Sequence, residues 1–514
     1  MDYSSTNKRI AKNTVVLYLR MIVLALIHLY SSRLVLKVLG VDDFGIYNAV
    51  GGFVAMFSLL SGALNNAIGR FITFELGKGD KVRLKEVFSS SVSVQIFLAL
   101  GVIVISEAVG IWFLNTQMNI PDGRMFAANW VFQCSLLTFA VNLISVPYNA
   151  CIIAHERMTA FAYISILDVC LRLAAVFMLF FIGGDSLIMY AILLLVVAIL
   201  VRIIYGAYCS FNFEECHYSF SFNKGLIKEM TSLASWNMLG SSSSVLNAHG
   251  VNLLMNIFFG VAANAARGLA SQVSAAVTQF VHSFTTAVNP QITKSYAKGD
   301  LSYSISLAMI SSKYSFFLML LMVAPLCVET PTILKIWLVD VPDYAVLFVR
   351  LTLIMATIPT LSVSLYTLAL ATGHIKKYQI VIGSLSLSSF FFVYLAYKLG
   401  MTVESAYYIN ILINVFILFA RIKILSDMVG LNQKEYIKKV VYRAVVVAIV
   451  VSAVLYYFKI LFTIQGIAGF VISILFSIAV TLLFIFFLGL NMSERNKFVS
   501  KFVVAYKNRF TCKR

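Results

Sequence analysis

Charge is what this sequence has least of. Only 12% of its 514 residues are Asp, Glu, Lys or Arg, and acids are the scarcer sign, 22 against 40 basic side chains. Proline occurs seven times and tryptophan four times. The seven cysteines (Cys134, Cys151, Cys170, Cys209, Cys216, Cys327 and Cys512) include no Cys-x-x-Cys pair, so neither a disulfide framework nor a metal site is expected, and Cys216-His217 reads as two ordinary loop residues. Long polar loops are also missing. The longest internal ones, near 210–232 and 423–439, are short and show no catalytic constellation of carboxylates or histidine, which argues against an integral membrane enzyme and gives no reason to expect a cofactor.

What fills the chain instead is apolar. Hydrophobic residues make up 60% and the mean hydropathy is +0.89, far from the globular balance of roughly 45–50% apolar. Runs such as "AILLLVVAILV" and "FVISILFSIAVTLLFIFFLGL" approach or reach the roughly 20 apolar residues that cross a bilayer as a helix, and they lack the period-two alternation of barrel strands. Backbone amides in hydrocarbon must be satisfied within their own segment, so the class is an all-α polytopic membrane protein. The sequence predicts about fourteen spans: 14–38, 44–70, 87–112, 126–150, 159–182, 187–209, 233–258, 265–290, 304–328, 344–370, 378–397, 403–422, 440–459 and 463–489. The first, seventh and eighth are the most polar, and "SWNMLGSSSSVLNAHG" in the seventh is too polar to face lipid.

Lys and Arg collect in alternate short loops, from Lys8, Arg9 and Lys12 through Lys78 to Lys85, Arg157, Lys224, Lys294, Lys376 and the tail from Arg495. The opposite loops hold chiefly Arg124, Lys335 and Lys398 beside Asp42, Asp43, Asp122, Asp185 and Asp340. Basic loops resist translocation, so both termini are expected in the cytoplasm. The net charge of +18 is then topology, and no nucleic-acid partner is expected. No cleavable signal is apparent.

Two strings match: "ITFELGKGD" at 72–80 and "ITKSYAKGD" at 292–300, an offset of 220. The same offset, without gaps, brings Gly40-Val41 onto Gly260-Val261, Ala67 onto Ala287 and Ser91 onto Ser311. Lys-Gly-Asp is inexpensive turn chemistry, with Gly closing one helix and Asp capping the next. The matching span positions on both sides favour a true duplication. Six spans per copy is an even number, so the repeat is parallel, about an axis along the membrane normal. The expected division is a six-helix lobe at 1–220, a second at 221–439, two added helices at 440–490 and a basic amphipathic tail at 491–514. In that tail Phe498, Phe502, Tyr506 and Phe510 recur at four-residue steps.

Ionisable residues inside spans mark function, because each costs about 2.5–3.5 kcal/mol if left facing lipid. Candidate cavity cations are Arg20, His28 and Arg33 on span one, Arg172 on span five, His249 on span seven, Arg267 on span eight and Lys313 on span nine. Lys37 and Arg350 lie near the outer interface, where snorkelling explains them. Asp168 stands one turn from Arg172, a spacing for a mutual ion pair, or else Asp168 carries a coupling proton or sodium ion. It reads as the one mid-span carboxylate of either lobe. Unpaired arginines in a wet cavity suit an anionic ligand, phosphate above all.

The order of spans, "VLKVLGVDDFGIYNAVGGF" at 36–53, "VPYNACIIAHERM" at 146–158 and "KGLIKEMTSLASWNMLGS" at 224–241 resemble the bacterial polysaccharide flippases of the multidrug/oligosaccharidyl-lipid/polysaccharide exporter superfamily. The resemblance implies an inner-membrane protein of two MATE-like six-helix lobes. Such a protein carries polyprenyl-diphosphate-linked oligosaccharide units from the cytoplasmic to the periplasmic leaflet, working beside a polysaccharide polymerase and glycosyltransferases. It also implies basic residues on the first helix, for which Arg20 and Arg33 are the candidates. An ion-coupled multidrug exporter and a lipid-linked peptidoglycan-precursor flippase are the alternatives, the latter favoured by the two added helices.

Overall fold

The computed structural model describes residues 3–55, 57–116, 120–219, 223–338, 341–461 and 466–496. The tail residues Phe498, Phe502, Tyr506 and Phe510, and Cys512, lie outside them. Among the described residues the chain is helical without strands. The helices are α1 (Tyr3–Ala55), α2 (Ser58–Lys78), α3 (Lys81–Ile105), α4 (Ile111–Thr116), α5 (Met125–Ala154), α6 (Met158–Met178), α7 (Ser186–Asn212) and α8 (Lys224–Ala297). They continue with α9 (Leu301–Trp337), α10 (Ala345–Thr360), α11 (Val363–Thr372), α12 (Lys376–Lys398), α13 (Ser405–Val429), α14 (Gln433–Tyr436), α15 (Tyr442–Leu461) and α16 (Gly466–Phe484). Eleven helical stretches among the described residues are long and apolar enough to cross a membrane. Expected spans two, seven and eight fall on the end of α1 with α2 and on α8, which are not among the eleven because Ser, Asn and Gly dilute their apolar content.

The repeat shows in the backbone. Glycine breaks α1 at Gly40 (φ 76°, ψ 176°) and α8 at Gly260 (φ 81°, ψ −171°), a region that residues with a Cβ avoid. The two positions are 220 residues apart. Downstream, Gly79 and Gly299 both take φ 80°, and Asp80 and Asp300 accept from the amides of Arg83 (2.9 Å) and Tyr303 (3.1 Å). Ala67, Ile72, Ala287 and Ile292 are all fully buried. These matched kinks and caps support duplication over coincidence.

The helices pack into two compact units. Unit 1 is Met1–Ser243, Ser283–Ser304 and Thr367–Gly383, so packing does not divide the chain at residue 220. Within it α5 packs on α2, α3 and α7, and α1 on α6. Its core mixes Ile68, Ile72, Phe88 and Ile152 with Met230, Leu233 and Ile375 from the second half of the sequence. The equivalents meet directly: a Cβ on Gly77 would lie 2.8 Å from Ala297 Cβ and 2.9 Å from the Lys294 backbone, and 297 is the repeat counterpart of 77. Only glycine allows the two helix ends this approach. At the other end of unit 1, Arg124 binds Asp43 through Nε (2.8 Å) and Asp185 through Nη1 (2.5 Å), joining α1, the turn before α5 and the start of α7. Asp185 also caps α7 through the amides of Leu187 and Ile188.

Unit 2 is Ser244–His282, Ile305–Tyr366 and Ser384–Arg514. Its core gathers Val251, Met255, Ala266, Met319, Phe348, Val393 and Tyr407. The two added helices are tied to α9 by charge. Glu329, at a non-helical turn between Pro325 and Pro331, accepts from Lys459 (2.5 Å) on α15 and Ser473 (2.6 Å) on α16.

Two outcomes follow from this packing. Gly77→Val overpacks the contact with Lys294 and Ala297 and should cost about 1–3 kcal/mol, read as a lower melting temperature in detergent. Gly69→Ala, whose Cβ meets nothing within 4 Å, should leave it unchanged. The Asp185 carboxyl is raised by burial but lowered further by Arg124 and the capping amides, so its pKa lies below the ordinary value. A depressed acid stabilises above its unfolded pKa and loses that contribution as pH falls through the folded value. The stability difference between wild type and Arg124→Gln should therefore shrink as pH falls below about 4; a constant difference would refute the bridge.

Candidate functional site: membrane charges of the two units

On α6, Phe161, Ser165, Asp168 and Arg172 recur at helical spacing and form one polar stripe. Arg172 Nε donates to Asp168 Oδ1 at 2.8 Å, so this pair is made, one turn apart. Arg20, from α1, lays its guanidinium over the Phe161 ring at 4.4 Å. Its Nε is buried and has no hydrogen-bond partner. Tyr205 of α7 lies near Ser165, Arg20 and Asp168, while Tyr47 and Tyr190, whose rings are 5.0 Å apart, lie near Arg172. This part of unit 1 thus brings Arg20, with its unsatisfied donor, near the Asp168–Arg172 pair and three tyrosines across α1, α6 and α7; Arg70, elsewhere in the unit, also has a buried Nε without a partner among the described residues. His28 and Arg33, further along α1, are exposed.

Unit 2 holds the rest. Arg267 lies beside Tyr407, 5.9 Å from the ring centroid, and near Tyr397. His249 is exposed on α8, two residues along from Asn247, which bonds Asn410. Lys313 is placed otherwise than a ligand-binding cation requires. It is 3% exposed and donates to both oxygens of Glu494 at 2.7 Å, so its charge is already met.

Several charges escaped the sequence reading. Asp168 is not alone: Glu107, bonded by Gln133 (3.1 Å), lies within an expected span, and Glu329 lies one residue beyond another. Arg70, Arg202, Arg421 and Arg443 also fall inside expected spans without having been weighed as site residues. Arg70 donates to the Ala371 carbonyl (3.0 Å) and stacks on Phe71 and Phe74, Arg202 covers the Tyr148 ring at 3.8 Å, and Arg421 donates to Ser362 Oγ (3.0 Å). The signal was plain, an arginine in an apolar run. Arg70 opens onto a recess of about 960 Å³ with Lys228, Trp236, His374, Lys376 and Lys377.

At the basic-loop end of unit 1 a buried carboxylate acts as a hub. Glu156, in the turn between α5 and α6, has a side chain only 1% exposed and a left-handed φ of 60°. It accepts from Gln291 (2.6 Å), Lys294 (2.8 Å) and Arg9 (2.8 Å), and Asn13 bonds its carbonyl (3.2 Å). The hub joins α1 and the α5–α6 turn to the end of α8, the last from the second repeat. Removing the charge while keeping the shape, as in Glu156→Gln, should cost about 3–5 kcal/mol because Lys294 is left buried without its counter-ion. Arg9→Gln should cost far less, since Arg9 is half exposed. Equal shifts in melting temperature would refute the hub.

Residues 10–296, more than half the chain, match the family model described as polysaccharide biosynthesis protein. A curated relative, the uncharacterized membrane protein EpsK of Bacillus subtilis (strain 168), is 18% identical over 314 residues. The match spans 60% of this chain and 61% of that relative's length. Among solved structures, MATE in the bent conformation superposes with a TM-score of 0.73 at 14% identity, covering 82% of this chain and 96% of the other. An outward-facing multidrug resistance MATE family transporter of the MOP superfamily gives 0.71 at 13%, covering 81% and 94%. A MOP superfamily transporter from Pyrococcus furiosus, described as having a binding pocket of reverse polarity that suggests a different function, gives 0.70 at 13%, covering 81% and 94%. These likenesses establish the MATE-type fold.

Proposed function

The chain belongs to the polysaccharide biosynthesis protein family, and we propose that this multi-pass membrane transporter is a flippase for polyprenyl-diphosphate-linked oligosaccharide units. It carries them from the cytoplasmic to the periplasmic leaflet of a bacterial inner membrane. The observation that carries the reading is Arg20, a guanidinium in mid-span with a buried, unsatisfied Nε and an aromatic plate beneath it. A diphosphate crosses hydrocarbon only if cations replace its water, and guanidinium offers paired donors in the right geometry.

Asp168 then has a definite part. It neutralises Arg172 in the structure at hand. An incoming anion competes with Asp168 for Arg172, and the displaced carboxylate takes up a proton or sodium ion, which couples ion movement to the cargo. Within unit 1, Arg33 and His28 are further candidates on α1 for the same anion; Arg267 and His249 are separate candidates within unit 2, where Lys313 is left out because Glu494 already satisfies it. The polyprenyl tail stays in lipid throughout.

With the basic loops in the cytoplasm, the Glu156 hub and the Gly77–Ala297 contact close the cytoplasmic end of unit 1. Loading from that leaflet requires Glu156 to part from Gln291 and Lys294, and Gly77 to part from Ala297. Release on the other side leaves these contacts made. That is alternating access, with the ligand shifting the balance between two states in proportion to its preference for one.

Arg20→Ala, Arg33→Ala and Arg267→Ala should each leave the protein in the membrane yet lower surface-polysaccharide export. The fall expected for a lost charge-assisted hydrogen bond of about 1.5–3 kcal/mol is roughly tenfold to a hundredfold. A lipid-linked glycan should accumulate on the inner leaflet of a deletion strain. Full export by all three variants would remove the phosphate-binding reading, and unaltered glycans with new drug sensitivity would favour a multidrug exporter.

A further inference from the structure

Three cysteines far apart in sequence meet at the basic-loop end of unit 1. Cys151 closes α5, Cys209 closes α7, and Cys216 follows in a short 3-10 turn with Glu215. All three thiols are buried, as is Glu215. Cys216 Sγ lies 3.4 Å from Cys151 Sγ, and Cys151 Sγ lies 3.8 Å from Glu215 Oε1. The donor atoms of Cys151, Glu215 and Cys216 all fall within 4.8 Å of one another. The buried Cys209 thiol donates to the Tyr148 carbonyl at 3.5 Å. His155 holds Glu215 through Nε2, and its ring stacks on Phe213 at 4.1 Å.

We propose that Cys151, Cys216 and Glu215 hold a zinc ion, with His155 orienting the carboxylate and the neighbouring Cys209, whose thiol faces the Tyr148 carbonyl in this structure, turning to supply the fourth ligand. In a tetrahedral zinc site, bonds of about 2.3 Å to sulfur and 2.0–2.2 Å to oxygen set neighbouring sulfurs about 3.8 Å apart and a sulfur about 3.5 Å from an oxygen. The Cys151–Cys216 separation of 3.4 Å and the Cys151–Glu215 separation of 3.8 Å lie within a few tenths of an ångström of these values. Soft thiolates select zinc or copper(I), and the carboxylate in the set favours zinc. A histidine bonded to a ligating carboxylate is an ordinary outer-shell partner. The way in is a cavity of about 870 Å³, lined by Glu75, Lys85, Glu86, His155, Arg157 and Glu215 among others. The ion would staple the ends of α5 and α7 to the chain that leads into α8, fixing the connection between the two repeats. It takes no part in carrying the cargo.

The test uses the full-length protein purified in detergent without chelator. Elemental analysis should find stoichiometric zinc. Adding zinc to metal-stripped protein should raise its melting temperature, and cobalt(II) in its place should give the absorption of thiolate coordination. Cys151→Ser and Cys216→Ser should abolish bound metal, and His155→Ala should weaken affinity about 10- to 100-fold. Cys134→Ser, buried elsewhere, should change nothing. If the cysteine variants fail to fold, the cobalt titration of wild type still decides. Zinc at background with no thermal response, or a Cys151–Cys216 disulfide trapped by alkylation at lysis in metal-free protein, would overturn the proposal.

Discussion

A charge inside hydrocarbon must bring its partner with it, and most of this molecule's internal charges do. Asp168 meets Arg172, Lys313 meets Glu494, Lys459 meets Glu329, and Glu156 meets Lys294 with Arg9. Leaving any of these unpaired would cost several kcal/mol, so each pair fixes where its helices can lie. Arg70 and Arg421 depart from the pattern, each with a buried Nε that meets no acceptor among the described residues, and so does Arg20. It has an aromatic face to rest on but no acid, and a buried donor with nothing to accept from it. In a chain this sparing with charge, an unmatched guanidinium points to a partner that arrives from outside.

The pairs also divide by task. Lys313–Glu494 and Lys459–Glu329 attach the two extra helices to α9, a permanent join within unit 2. The Glu156 hub does something different, because it gathers helix ends that the repeat places in different halves of the sequence. Gly77 and Ala297 touch at the same end as repeat counterparts. A closed end built from equivalent residues of two copies is what a parallel duplication produces when its two halves lean together. In the proposed cycle this join is the one that opens.

Local chemistry was legible in the sequence, and long-range pairing was not. The glycine breaks at Gly40 and Gly260, the Lys-Gly-Asp turns and the Asp168–Arg172 pair are all set by residues within a few positions of one another, so spacing alone reveals them. Lys313 was read as a cavity cation because Glu494 is 181 residues away, and no periodicity links them. Cys151 and Cys216 are 65 residues apart and lack any metal-ligand spacing; only the packing of α5 against α7 brings their sulfurs together. The polar spans were recognised as polar, and the break in α8 at Gly260 falls between the two helices expected there.

The central claim is that Arg20 holds a diphosphate. Native mass spectrometry of the purified protein with equal amounts of a polyprenyl diphosphate and the corresponding uncharged polyprenol tests it most directly. Selective retention of the diphosphate, competed by inorganic pyrophosphate and lost in Arg20→Gln, is the expected result. Equal retention of both lipids, or retention unchanged in Arg20→Gln, would contradict it.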